Sequence, residues 1–138
     1  MARVASRVFT AFPNVFAHAA WVGNPLRAAF TQQPGPIERF AGRSGPLKLL
    51  VLGGSLGAKA LNELVPQALA LIPPEQRPSV TAQSGAAHIE ALKANYAQAG
   101  VQAELTAFIT DTAQALASAD LVICRAGAST VTEIAAVG

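Results

Sequence analysis

The sequence predicts an α/β domain built on a doubly wound parallel sheet. Three observations carry that expectation. Short apolar runs at residues 47–52, 79–83, 103–108 and 121–124 alternate with segments of helical period, the order expected of parallel strands covered by helices on both faces. Two of these runs end in glycine-rich loops that lead straight into amphipathic segments. The chain has 138 residues, 51% of them hydrophobic and only 13% charged, which is enough apolar material for one buried core.

The elements follow in order. Residues 1–8 read as the end of a helix and residues 20–23 as a short strand. Asn24 and Pro25 read as an N-cap followed by proline at the first helical position. The stretches 32–36 and 42–46 are turn-rich, a loop leading into the compact domain. After the strand at 47–52, Leu61, Leu64, Val65, Ala68, Leu69 and Ile72 keep i, i+3, i+4 spacing until Pro73 and Pro74 stop the helix. A second helix carries Ile89, Leu92 and Tyr96 and ends at Gly100. Asp111 with Gln114 forms the pattern of a capping box ahead of Leu116. The strand ending at Cys124 then feeds the loop 125–130 and a last helix. Right-handed crossovers between these units give the doubly wound topology. The chain stops two turns into the last helix, so the sheet reads as incomplete at its C-terminus and part of something larger.

The loops carry the chemistry. In Gly53-Gly54-Ser55-Leu56-Gly57 the glycines permit φ > 0 and close backbone approach to a ligand, and the following helix offers unpaired N–H groups and a positive dipole end. Such a loop suits an anion such as a nucleotide diphosphate. The loop Arg125-Ala126-Gly127-Ala128-Ser129-Thr130 repeats the design, and two loops at the carboxyl ends of neighbouring parallel strands border one crevice. Neither has the spacing of G-x-G-x-x-G or G-x-x-x-x-G-K-[ST], so each alone is a weak signal.

Composition narrows the classes. No apolar run approaches the roughly 20 residues that span a bilayer, and the first residues lack a long apolar segment with a cleavage site, which points to a soluble, cytosolic product. One cysteine, Cys124, excludes an internal disulfide, and with only His18 and His88 no zinc pattern is visible. Cys124 closes an apolar strand and reads as a buried structural thiol, and His88 as a surface residue. Net charge is +2, but residues 1–48 hold Arg3, Arg7, Arg27, Arg39, Arg43 and Lys48 against Glu38 alone, while the remainder has four basic against seven acidic residues. The basic end suits an acidic membrane surface or a phosphorylated substrate, or is simply a solvated face. Basic runs interleaved with aromatics are missing, which disfavours nucleic acid.

Five phrases, taken together, resemble the MurG family of bacterial cell-wall glycosyltransferases: Gly23-Asn-Pro-Leu-Arg27, Gly53-Gly-Ser-Leu-Gly-Ala58, Gln83-Ser-Gly85, Thr106-Ala-Phe-Ile109 and Cys124-Arg-Ala-Gly-Ala-Ser-Thr-Val-Thr-Glu133. That family adds N-acetylglucosamine from UDP-N-acetylglucosamine to an undecaprenyl-linked muramoyl-pentapeptide, turning lipid I into lipid II. The resemblance implies a Rossmann-like half of a GT-B enzyme. Residues 1–22 would then be a linker and inter-domain segment, and 23–138 a truncated donor-binding domain. It further implies that Arg27, Gly54 and Ser55 hold the diphosphate and that Ile109 meets uracil through its backbone. Ala128, Ser129, Thr130, Val131, Thr132 and Glu133 would wrap the nucleoside, Glu133 accepting from the ribose hydroxyls. These residue types fit: a guanidinium is a fixed fork for phosphate oxygens, and a carboxylate accepts from two adjacent hydroxyls. Ser129 stands where many relatives carry leucine.

By the same resemblance no metal or other cofactor is expected, the catalytic base and the acceptor loops belong to an amino-terminal domain, and this chain alone has no catalytic residue. The acceptor would reach the site through that domain, and the enzyme would sit peripherally on the cytoplasmic face of the inner membrane. Plainer readings stand beside these. Thr130 to Glu133 also matches a capping box, Ser55 an N-cap, Arg27 a solvated surface charge, and Phe108 a core residue. Other GT-B enzymes, such as a glycolipid glycosyltransferase or a UDP-sugar 2-epimerase, and a non-catalytic nucleotide-binding module, remain alternatives.

Overall fold

A computed structural model describes residues 5–54 and 58–138. The elements in chain order are β1 (Phe9–Thr10), β2 (Ala20–Trp21), α1 (Ala28–Thr31), α2 (Pro36–Phe40), β3 (Lys48–Leu52) and α3 (Lys59–Ala70). They continue with β4 (Ser79–Gln83), α4 (Ile89–Gln98), β5 (Glu104–Thr106), α5 (Thr112–Ser118), β6 (Leu121–Cys124) and α6 (Ala128–Val137). The main sheet is four-stranded and entirely parallel, in the order β5-β4-β3-β6. The chain winds outward from β3 through β4 to β5, then crosses back to place β6 on the other side of β3. The winding therefore reverses between β3 and β6, as the doubly wound expectation requires.

The central strand shows why this segment forms a strand covered on both faces. Leu49 and Val51 point into one core with Val65 and Leu69 of α3, Val80 and Ala82 of β4, and Leu92 and Tyr96 of α4. Leu50 and Leu52 point into the other with Phe30 of α1, Ala113, Leu116 and Ala117 of α5, and Val137 of α6. A run without polar alternation is what double coverage asks of a strand. At roughly 1.5–3 kcal/mol for each large side chain fully buried, these two layers outweigh any local propensity. Gly100 follows α4 with φ +62, the left-handed exit that glycine adopts without a Cβ penalty.

Several expectations are corrected. Residues 5–8 are not helical; they lead into β1, which pairs in parallel with β2 through Ala20 N–H to the Val8 carbonyl (2.9 Å) and Val22 N–H to the Thr10 carbonyl (3.0 Å). Asn24 and Pro25 start no helix: the Asn24 side-chain amide donates to the Thr132 hydroxyl (3.2 Å) instead of its oxygen capping a turn, and α1 begins at Ala28 with Arg27, itself extended, as its N-cap. Between the two turn-rich stretches, Pro36 opens the short helix α2. Strand β5 spans three residues rather than six, because the Thr106 hydroxyl donates to the Phe108 carbonyl (2.9 Å) and accepts from the Phe108 N–H (3.3 Å), folding the chain out of the ladder. The basic amino-terminal stretch is partly used internally. Arg39 donates to the carbonyls of Ala117 (2.9 Å) and Val137 (2.8 Å), and Arg43 pairs with Asp120 and the Ser118 carbonyl. Among the described residues no helix is long and apolar enough to cross a membrane.

Candidate functional site

Beyond the carboxyl ends of β3 and β6, at the reversal of the sheet, lies a crevice of about 470 Å³. Its walls come from three loops. After β3, the Gly53 N–H donates to the Gln83 carbonyl (2.9 Å), and Gly54 turns with φ +76, a conformation L side chains rarely adopt. Ser55, with Leu56 and Gly57, lies outside the described residues. After β6, the Gly127 N–H closes a tight turn on the Arg125 carbonyl (2.8 Å), and Gly127 caps α6 with no side-chain partner. The N–H groups of Ala128, Ser129 and Thr130 make no hydrogen bond among the described residues, so the positive end of α6 is open. After β5, the turn held by Thr106 presents Phe108 and Ile109.

Of the residues expected at the site, the crevice gathers Gly54, Ile109, Thr130 and Glu133. Ile109 is half-buried; its carbonyl accepts from the Thr112 hydroxyl at 3.5 Å, and its N–H makes no hydrogen bond among the described residues. Glu133 is half-buried in the second turn of α6. The capping-box reading of Glu133 is not realised: α6 begins at Ala128, so Thr130 sits inside its first turn rather than at the cap. Arg27, Ala128, Ser129, Val131 and Thr132 do not line the crevice. Arg27 is exposed, its guanidinium 4.8 Å from the centre of the Phe30 ring. The Thr132 hydroxyl donates to the Ala128 carbonyl (2.8 Å) and accepts from the Asn24 side-chain amide (3.2 Å), pinning the segment before α1 onto α6.

Sequence reasoning missed three residues of this crevice. Arg125 stands exposed at the exit of β6 on its wall and makes no ion pair among the described residues. Its place directly after the apolar strand was the available signal. Gln83, the last residue of β4, is buried and lines the floor. Phe108 is 66% exposed, so the core assignment fails; it stands between this crevice and a second groove of about 450 Å³ that runs past Thr81, Glu104 and Gln114. The crevice thus offers backbone donors, a helix dipole and a guanidinium for an anion, with a carboxylate in the second turn of α6 for hydroxyl donors. Among the described residues no three His, Cys, Asp or Glu side chains gather to ligate a metal.

Residues 48–138, which supply all four strands of the sheet and the crevice between them, match the model of the glycosyltransferase family 28 C-terminal domain. The chain belongs to glycosyltransferase family 28. It is 76% identical over 138 residues to the UDP-N-acetylglucosamine--N-acetylmuramyl-(pentapeptide) pyrophosphoryl-undecaprenol N-acetylglucosamine transferase of Polaromonas sp. (strain JS666), covering all of this chain and 36% of that one. The transferase of the same name from Albidiferax ferrireducens is 75% identical with the same coverage. Among solved structures, MurG of Acinetobacter baumannii superposes with a TM-score of 0.77 at 41% identity, over 99% of this chain and 38% of that one. The family 28 chain described here therefore spans little more than a third of the length of these relatives.

Proposed function

We propose that this chain is the donor-binding part of an inverting glycosyltransferase that moves N-acetylglucosamine from UDP-N-acetylglucosamine to a lipid-linked muramoyl-pentapeptide. One observation carries the reading: a crevice built for an anion lies at the reversal of the sheet, in a chain three-quarters identical along its whole length to transferases named for that reaction. In this reading the diphosphate lies between the Gly53–Gly54 turn and the amino end of α6, with Ser55, Arg27 and Arg125 as further donors. Uracil meets the free backbone N–H of Ile109, and Glu133 accepts from the ribose hydroxyls. As the acceptor hydroxyl attacks the anomeric carbon, the bond to UDP breaks and negative charge grows on the departing phosphate. Preorganised N–H groups stabilise that charge without reorganising. Holding the acceptor in line beside a base is assigned to the amino-terminal part of the enzyme, so residues 1–138 alone bind donor and do not transfer. The enzyme is proposed to work at the cytoplasmic face of the membrane, where its lipid-linked acceptor resides.

The test is a calorimetric titration with UDP and ADP on the native chain and on Glu133→Gln. UDP is expected to bind more tightly than ADP. Glutamine should weaken UDP by about 1–3 kcal/mol, the loss of a charge-assisted bond, with the melting temperature unchanged. Equal affinity for UDP and ADP, or unchanged UDP affinity in Glu133→Gln, overturns the assignment.

A further inference from the structure

We infer that Gln83 is a positioning residue that fixes the distance between the phosphate-binding turn and the base-reading segment, an inference that rests on the donor-binding reading above. Strands β3 and β5 are not neighbours; β4 lies between them, so the turns that leave them are separated by two strand spacings, roughly 10 Å. Gln83 ends the intervening strand, in register with Leu52 on one side and Thr106 on the other. Its side-chain amide donates to the Gly54 carbonyl (3.4 Å) and to the Ala107 carbonyl (3.3 Å). Its own carbonyl accepts from the Gly53 N–H (2.9 Å). Among the described residues no other residue bonds to both turns.

The chemistry of the two acceptors explains why a glutamine stands here. Both are carbonyl oxygens, so the group between them must supply two N–H donors and no charge, which a primary amide does and a carboxylate cannot. The Ala107 carbonyl also accepts from the Gly85 N–H (3.0 Å), so both its lone pairs are engaged and the turn toward Phe108 and Ile109 is held against β4. With 6% of its surface exposed, Gln83 is shielded from the solvent that would compete for these bonds. A ligand with phosphate at one end and a base at the other gains affinity when its two subsites are already at the right separation, because the second contact then costs little further ordering. Gln83 supplies that separation through the two turns it bridges from the floor of the crevice.

The experiment compares native chain, Gln83→Glu, Gln83→Met and Gln83→Asn by calorimetric titration with UDP, uridine and inorganic pyrophosphate. Glutamate is isosteric but turns an acceptor toward two carbonyls, methionine removes the donors, and asparagine keeps the amide one methylene short. In the two neutral variants, Gln83→Met and Gln83→Asn, UDP affinity is expected to fall at least tenfold while pyrophosphate affinity stays within twofold, so the ratio of the two collapses. In Gln83→Glu the new carboxylate on the crevice floor also repels pyrophosphate, and the ratio is read from the neutral pair. A general loss of structure lowers both together, and that outcome, or an unchanged ratio in a neutral variant of native melting temperature, overturns the proposal. A native chain that does not prefer UDP to ADP sinks the donor reading instead, and hydrogen exchange without ligand then decides the bridge separately. In Gln83→Asn the amides of Gly53 and Gly85 should exchange faster together, with Leu50 and Val51 unchanged. If only one turn loosens, Gln83 does not couple them.

Discussion

Helix α3 contains a proline at its eighth position, and the way the fold accommodates it gives a sharp quantitative prediction. Pro66 has no N–H, so the carbonyl four residues earlier, on Asn62, loses its helical donor. Asn62 is buried, and water cannot fully compensate the loss. The missing donor comes from outside the helix: the side-chain amide of Asn95 in α4 reaches the Asn62 carbonyl at 3.0 Å. Asn95→Ala should therefore leave a buried carbonyl unpaired and cost about 1–2 kcal/mol, more than the ~1 kcal/mol net of an ordinary hydrogen bond. In Pro66→Ala the alanine N–H restores the helical bond, and the same Asn95→Ala change should then cost below about 0.5 kcal/mol. The coupling across the cycle is about 1 kcal/mol, whatever Pro66→Ala does alone, since its lost packing and its altered unfolded chain enter both sides. Urea unfolding of the four proteins, followed by circular dichroism with shared slopes, measures it. Additivity within about 0.3 kcal/mol would refute the account and mean that Asn95 does not replace the missing donor.

Two further predictions concern the core and the crevice. Tyr96 is 2% exposed, and its hydroxyl is buried without a hydrogen-bond partner among the described residues, so Tyr96→Phe should stabilise the chain by about 1 kcal/mol. Burial pushes this phenol from 10.0 up to about 12. The unfolded chain then releases the proton first, the folded one holds it between pH 10 and 12, and stability falls with rising pH there by about 1.4 kcal/mol per unit. Denaturant unfolding from pH 9 to 11.5 should show that slope in the native chain in excess of the Tyr96→Phe slope; parallel curves refute it. At Gly54 a Cβ would meet nothing within 4 Å, so the penalty for a side chain is purely the left-handed backbone. Gly54→Ala should cost about 1–2 kcal/mol and weaken UDP binding, with Gly54→Asn milder because asparagine tolerates φ > 0. A larger loss in asparagine than in alanine speaks for crowding instead.

The sequence made most of the sheet legible because a strand covered on both faces is apolar along its length, as Leu121–Cys124 is, while 79–83, Ser-Val-Thr-Ala-Gln, was bounded correctly although only Val80 and Ala82 are apolar. What it did not reveal depends on contacts distant in the chain. Asn24 looks like a helix cap until its amide is seen on Thr132, over a hundred residues away. The site was legible as loops but not as walls: Gly54, Ile109, Thr130 and Glu133 converge, whereas Arg125, Gln83 and Phe108 were passed over because their meaning lies in which strand ends they share. Thr130 and Glu133 have capping-box spacing, but where a helix begins is decided by the turn before it. Here the turn from Arg125 to Gly127 starts α6 at Ala128 and frees Glu133 from the cap.

The distribution of arginines follows from the direction of the helices. In a βα repeat every helix ends at the amino edge of the sheet, so carbonyls and negative dipole ends collect there, and N–H groups collect at the carboxyl edge. At the amino edge the chain answers with side chains. Arg77 donates to the carbonyls of Ile72 and Gly100 at 2.9 Å, Arg39 to those of Ala117 and Val137, and Arg43 to the Ser118 carbonyl and the Asp120 carboxylate. At the carboxyl edge the amino end of α6 has no capping side chain, and Arg125 stands beside it without an ion pair among the described residues. Cations satisfy one pole, and the other is left positive. At that edge Asp111 caps the start of α5, whereas the N–H groups of α6 start uncapped at the point where the sheet reverses, and this asymmetry supports the anionic donor proposed above.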